Sequence, residues 1–273
     1  MSNIIFTEDM LERVFINKIE GLGYRYVPGH EIVRSSLKSP LAEEVFRESL
    51  IRINPGLPFE VIEKAVQEIK HIDAGLLEAR NQTFFGYLQN GISISYYDQN
   101  EEKTDMVYLI DYDHTENNSF IVSNQFRIVG KDSKRPDIVL FINGLPLVVI
   151  ELKSASSDQA DIWSAYRQIK NYQYDIEELF VYNAFNIISD MTQTKVGTIT
   201  SNESWYKDWK TKDGNYESTK VADYHTLLEG LLEKNRLLDI VKNFIVFEHK
   251  DKSIIKIMTQ YHQYFAVHKA VNS

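Results

Sequence analysis

Residues 135–153 read RPDIVLFINGLPLVVIELK, and this stretch decides the fold. Two apolar runs, Asp137 to Ile142 and Leu147 to Glu151, flank Asn143-Gly144, a strong signal for a tight β-hairpin. Strands that are apolar almost throughout are buried on both faces, so this hairpin belongs inside a central sheet flanked by helices. Asp137 opens the first strand. Glu151 and Lys153 close the second and, being two residues apart, share a face.

The hairpin register decides whether Asp137 joins them. A bare two-residue loop pairs Asp137 with Ile150 and turns it away from Glu151. A three-residue loop, Asn143-Gly144-Leu145, sets Ile142 opposite Pro146 and Asp137 opposite Glu151. We expect that register, or an equivalent bulge, with φ > 0 at Gly144 or its neighbour. Two converging carboxylates suit a hard cation, Mg²⁺ or Mn²⁺. A lysine beside them can orient or deprotonate water, or neutralise charge building on a phosphate. Glu-x-Lys alone carries little information, because the chain holds four: Glu68/Lys70, Glu101/Lys103, Glu151/Lys153 and Glu248/Lys250. Only the third ends an apolar strand and follows a second acid across a hairpin. The ordinary alternative for Glu151 and Lys153 is a strand-end ion pair.

Outward from the hairpin, the N-terminal side reads as three helices: Glu8 to Gly21, capped by Thr7; Ser39 to Ile51; and Pro58 to His71, after the turn Asn54-Pro55-Gly56. The period then changes to strands at Ile92–Tyr97, Met106–Asp111 and Phe120–Val129, the last interrupted near Asn124. Beyond the hairpin we expect a helix over Asp158–Asp175, a short strand at Phe185–Ser189 and an edge strand at Lys195–Ile199. A helix over Tyr224–Asp239, a strand at Phe244–Phe247 and a final helix over Ile254–Val271 complete the reading. Helices, then a β-meander, then α/β alternation predict a mixed α/β (α+β) fold.

Composition bounds the function. The chain has 273 residues, enough for one to two domains, and its 43% hydrophobic and 25% charged residues exclude disorder as the main state. It has no cysteine, which excludes disulfides, Cys-based zinc sites and thiolate nucleophiles. No apolar run approaches the ~20 residues of a membrane span, and the N-terminus lacks a signal pattern, so we expect a soluble, cytoplasmic protein. The net charge of -9, taken alone, argues against a nucleic-acid partner. The basic cluster Lys131, Lys134, Arg135 and Lys153 beside the acids narrows that inference: the module should not grip DNA tightly by itself.

The sequence resembles the N-terminal nuclease region of the motor (R) subunits of type I restriction enzymes, within the PD-(D/E)xK nuclease superfamily. The resemblance is carried by Ile53-Asn54-Pro55-Gly56-Leu57-Pro58, Asn90-Gly91-Ile92, Asn124-Gln125-Phe126, residues 135–153, and Leu238-Asp239-Ile240 through Phe247. It implies that Asp137 and Glu151 are metal-binding acids and that Lys153 is the catalytic lysine. The family's Gln-x-x-x-Tyr motif falls on Gln168 and Tyr172, one turn apart on a helix. Glu12 matches the acid of the superfamily's first helix, with the Leu152 carbonyl a further ligand to Mg²⁺ or Mn²⁺. Arg135 and Lys134 are candidate DNA contacts.

The resemblance further implies a PD-(D/E)xK domain over 1–220, then a linker and the beginning of a helicase motor over 221–273. Gln263 matches an adenine-recognition residue of such motors. The sequence stops before any Gly-x-x-x-x-Gly-Lys-Ser/Thr loop, so ATP belongs to the full-length subunit only, and a complete ATP-driven motor is excluded. The chain therefore reads as part of a longer subunit. The implied partners are duplex DNA and the methyltransferase and specificity subunits of a type I complex, with no membrane. The implied activity is sequence-nonspecific cleavage after ATP-driven translocation. The alternative is a catalytically silent docking module between motor and partners. Met191 stands where the family often has glycine, which puts the local turn in question.

Overall fold

Residues 138–142 and 145–152 have no polar face because alternate side chains enter two different cores. A computed structural model of the chain describes residues 7–72, 75–153, 161–190, 192–215 and 224–271. The helices are α1 (Glu8–Glu20), α2 (Glu43–Ile53), α3 (Phe59–Lys70), α4 (Leu77–Asn90), α5 (Ile162–Asp175), α6 (Glu177–Val181), α7 (Tyr224–Leu232), α8 (Lys234–Asn243) and α9 (Tyr261–Val271). The strands up to the central hairpin are β1 (Arg25–Tyr26), β2 (Ile92–Asp98), β3 (Glu101–Val107), β4 (Phe120–Asn124), β5 (Ile128–Val129), β6 (Ser133–Lys134), β7 (Ile138–Ile142) and β8 (Leu145–Leu152). Then follow β9 (Phe185–Ser189), β10 (Thr194–Gly197), β11 (Ile245–Lys250) and β12 (Ser253–Met258).

Six strands form a central sheet in the order β1-β4-β7-β8-β9-β10. Pairings β1–β4 and β8–β9 are parallel and the other three antiparallel, so the sheet is mixed. On one face Ile138, Leu140, Val148 and Ile150 pack with Leu11, Phe15 and Ile19 of α1 and with apolar residues of α2, α3, α4, α7 and α8. On the other, Val139, Phe141, Val149 and Ile188 pack under Ala165, Ile169 and Tyr172 of α5 and Leu179 and Phe180 of α6. This is the mixed α/β architecture expected, with helices on both sides of the hairpin.

The expected register is reached by a different route. Asn143 and Gly144 form a bare two-residue turn, with φ of 49° and 80°, and Ile142 pairs with Leu145. The extra residue comes later, as a bulge: Phe141 pairs with Pro146 but Leu140 with Val148, leaving Leu147 over. From there Ile138 pairs with Ile150, which brings Asp137 opposite Glu151.

The short elements β1, β6 and α6 were not expected, α2 begins at Glu43 and not at Ser39, and four larger differences have a clear physical reason. Helix α4 was not expected, because its inward face is built around a polar residue, Asn81, which is fully buried. Strand β3 lies over Glu101–Val107 rather than Met106–Asp111; it is a solvent-facing strand whose polar sequence hides the pattern. The single helix expected over Tyr224–Asp239 is two, because Glu233 leaves the helix and its carboxylate caps the amides of Asn235 and Arg236 at the start of α8. The helix expected from Ile254 begins only at Tyr261, since Ser253–Met258 pair with Ile245–Lys250 as a hairpin turning at Asp251. The start of the helix expected from Asp158, and Met191, lie outside the described residues.

The C-terminal elements join the first core. Phe15 stacks on Tyr224 with ring centroids 5.1 Å apart, and Tyr264 of α9 packs against Phe244 at 4.9 Å. Asn81 ties the layers together: its Nδ2 donates to the carbonyls of Phe180, Val181 and Asn183 at 3.2, 2.8 and 3.0 Å, and its Oδ1 accepts from Lys256 Nζ at 2.9 Å. The Lys256 ammonium also donates to the Asn183 carbonyl at 2.6 Å and sits 3.7 Å from the Phe85 ring centroid. Burial holds its pKa well below the usual lysine range. No described helix is long and apolar enough to cross a membrane.

Candidate active site

The end of β8 runs alongside Asp137 while still paired with β9, and α5 covers one face of it. Glu151 shares the face of Val149 and therefore points under α5, and it is only 1% exposed. The bulge at Leu147 puts Asp137 at the same level on the neighbouring strand. The Asp137 carboxylate accepts from the Leu152 amide at 2.7 Å, which fixes its rotamer beside Glu151. Lys153 Nζ donates to Glu151 Oε1 at 2.9 Å. The other carboxylate oxygen of Glu151, Oε2, is buried and has no hydrogen-bond partner among the described residues.

These contacts set the electrostatics. Burial first, then the Asp137 charge, push the Glu151 carboxyl up to about 8, against the opposing pull of Lys153 and the Tyr172 hydroxyl. Tyr172 is 4% exposed on the inner face of α5, and burial followed by the Glu151 charge raises its phenol above the usual range, with Gln168 opposing as a hydrogen-bond partner. The Tyr172 hydroxyl reaches the Arg135 carbonyl at 3.4 Å. Asp137, Glu151, Lys153, Gln168 and Tyr172 thus form one assembly on the α5 face.

Glu12 is not part of that assembly. Helix α1 packs on the opposite face of the sheet, and Glu12 reaches the rim from there, where its carboxylate accepts from Asn124 Nδ2 and, at 3.1 Å, from Gln125 Nε2. Among the described residues no group of three His, Cys, Asp or Glu side chains is close enough to hold a metal. Leu152 is 1% exposed, and its peptide lies against Asp137 through the amide bond above. Lys134 is held by two carboxylates, Asp132 at 2.7 Å and Asp175 at 3.1 Å, whereas Arg135 is exposed. Gln263 sits elsewhere, in the first turn of α9. Its Oε1 accepts from the Gln260 amide at 2.9 Å, a capping contact for its own helix.

Sequence reasoning missed the role of Asn124 and Gln125. Gln125 holds φ at 52°, a conformation strained for a side-chain-bearing residue, and its amide donates to the Asp137 carbonyl at 3.3 Å. It links the Glu12 rim to the Asp137 strand. The Asn124-Gln125-Phe126 segment was visible in the sequence, but nothing in its spacing tells that Gln125 bridges two acids.

Residues 5–205 match the family described as type I restriction enzyme R protein N terminus. The chain belongs to that family. Within the R-protein family, the type I restriction enzyme HindI endonuclease subunit of Haemophilus influenzae is 36% identical over 98% of this chain and 27% of its own length. A Methanocaldococcus jannaschii relative, provisionally named the type I restriction enzyme MjaIXP endonuclease subunit, is 30% identical over 96% of this chain and 27% of its own length. The chain therefore spans about a quarter of the length of these R-protein relatives.

Proposed function

We propose that the chain is the DNA endonuclease module of a type I restriction–modification complex, hydrolysing phosphodiester bonds of duplex DNA at a PD-(D/E)xK centre made of Asp137, Glu151 and Lys153. The observation that carries this reading is the orphaned Glu151 Oε2 beside Asp137. A buried oxygen without a donor is costly, and two adjacent carboxylates repel; a divalent cation removes both penalties. The donor set is oxygen only and suits Mg²⁺ or Mn²⁺. Asp137, Glu151 and the Leu152 carbonyl would hold the ion, with Glu12 acting from the rim. When bound, the ion supplies Lewis-acid polarisation of a phosphate oxygen and of the attacking water.

The chain's own residues do the rest. The Leu152 amide orients Asp137. Lys153 brings a positive charge next to Glu151, where it would neutralise the charge growing on the phosphate or orient the water. Tyr172, itself held by Gln168, would brace Glu151 from α5. Arg135 would contact a DNA phosphate. In the full-length subunit, cleavage would be sequence-nonspecific and follow ATP-driven translocation. The methyltransferase and specificity subunits would supply recognition, and the site of action would be the cytoplasm. Residues 221–273 would lead into the motor, with Gln263 reading adenine.

The Lys153–Glu151 ion pair is also what a silent docking module would keep, so the test must separate the two. Titration of Mn²⁺ into the protein should give heat that is lost in Asp137→Ala. Complexes reconstituted with Asp137→Ala or Lys153→Ala should translocate without cutting. Equal heats in wild type and Asp137→Ala, or cutting by either variant complex, would favour docking.

A further inference from the structure

Gln125 separates two clefts of opposite character. One, of about 440 Å³, contains Glu12 together with Asp9, Arg13 and Glu20. The other, of about 400 Å³, lies between the loop around His30–Leu37 and the segment that joins β4 to β5, and it is lined by His30, Arg34, Ser36, Gln125 and Arg127. No Asp or Glu lines the second cleft among the described residues, although the chain holds 39 acids against 30 Lys and Arg. The Glu31 carboxylate lies 3.8 Å from His30, with both side chains exposed. Glu43, the acid that acts on Arg34, is already engaged by Ser35 and Lys70.

The two arginines are differently placed. The Arg34 guanidinium is locked: it donates to the carbonyls of Ser39, at 3.0 Å, and of Arg127, and it lies 4.0 Å from the Phe126 ring centroid. Arg127 is exposed and held only through its Nε, which donates to Ser133 Oγ at 2.9 Å. Its two terminal nitrogens have no hydrogen-bond partner among the described residues, and it pairs with no carboxylate there. An arginine fork left open in this way matches a phosphate. The cleft is also adjacent to the carboxylate centre, because Gln125 lines it and its amide donates to the Asp137 carbonyl at 3.3 Å.

We propose that this cleft is a phosphate subsite for the DNA strand bound at Asp137 and Glu151, with Arg127 and His30 as contacts and Arg34 as a fixed positive charge behind them. The inference rests on the nuclease reading. A strand with one phosphate at the carboxylates must lay its neighbours on the flanking surface, and among the described residues no carboxylate lines this cleft. It adds an anchor that orients the strand without reading its bases.

The test is the binding of a short fluorescent duplex to the chain, followed by anisotropy over a series of salt concentrations, in EDTA so that no strand is cut. Arg127→Glu is compared with Lys250→Glu, which makes the same charge change on the exposed end of β11. Arg127→Glu should weaken binding about tenfold or more and flatten the slope of log Kd against log salt by about one contact. Lys250→Glu should cost less than about threefold. Arg127→Gln, free of added repulsion, should fall between wild type and Arg127→Glu, and thermal melts of all variants check folding. Equal weakening by Arg127→Glu and Lys250→Glu, or no binding by wild type at low salt, overturns the subsite. Mn²⁺ titration of the wild type reports the carboxylate centre independently: heat there with equal charge variants removes the subsite alone, whereas no heat removes the nuclease reading.

Discussion

The backbone amide of Leu152 donates to the Asp137 carboxylate at 2.7 Å across the central hairpin. One acid is thereby positioned by the residue that follows the other acid, Glu151. Asp137→Asn keeps an acceptor for this bond and removes the charge. We expect its melting temperature to stay within about 2 °C of wild type, because a retained hydrogen bond and a lost repulsion are each small. Cleavage by the reconstituted complex should fall by at least about 100-fold if Asp137 holds the ion. A variant that melts normally and cuts normally would remove Asp137 from the centre.

Glu151 makes stability depend on pH. Its folded pKa, about 8, lies above its ordinary value of 4.5, so the folded state holds one more proton than the unfolded state between those limits. Its contribution is therefore fully present below about pH 4.5 and is lost as pH rises through 8. Without divalent metal, Glu151→Gln should gain stability over wild type as pH rises from 5 to 8, by a few kcal/mol at most. Urea unfolding at several pH values measures this; a gap that stays constant would contradict the buried carboxyl. With Mn²⁺ present the dependence reverses, since the ligand must lose its proton, and affinity should rise with pH to about 8.

Asn81 is a single side chain whose amide reaches four polar partners, joining α4 to the end of α6, to Asn183 just after it, and to β12. Asn81→Ala removes these contacts, leaves the Val181 carbonyl without this donor, and leaves Lys256 with the Asn183 carbonyl alone of its two hydrogen-bond partners. We expect a loss of about 3–5 kcal/mol, read as a lowered urea midpoint. A loss under about 1 kcal/mol would mean that water replaces the amide without cost.

Gly144 and Gly56 test the turn geometry separately from the packing. Both have positive φ, 80° and 90°. A Cβ on Gly144 would also meet the Ala42 carbonyl oxygen and the Phe46 amide nitrogen at 2.6 Å, whereas a Cβ on Gly56 meets nothing within 4 Å. Gly56→Ala should cost about 1 kcal/mol from backbone strain. Gly144→Ala should cost about 2 kcal/mol more, because backbone atoms must move. Equal losses would show that the hairpin tip yields easily.

Much of the fold was legible because burial leaves a periodic trace. Helices α1, α2 and α3 and strands β7, β8 and β9 carry one apolar face or two, and their residues appear at the expected places. The features that escaped are those in which a polar residue does the structural work. Asn81 replaces an apolar contact in α4, Glu233 breaks a helix by capping the next, and β3 pairs through its backbone with little buried surface. The final hairpin escaped for another reason: Ile254, Ile255, Ile257 and Met258 fit a helix and a strand equally well over so short a run.

The sequence by itself determined that this is a cysteine-free mixed α/β chain, with an acid, a hairpin and Glu-x-Lys at its centre, because residue type and spacing are local properties. Only the tertiary structure decided how the charges combine. The sequence required a three-residue loop or an equivalent bulge to set Asp137 opposite Glu151, and the folded hairpin has the bulge, at Leu147. The side of the sheet on which each helix packs put Tyr172 over Glu151 and kept Glu12 at the rim. The net charge of -9 gave no hint of an acid-free cleft, because charge sums over a sequence while an electric field depends on where the folded chain places each group.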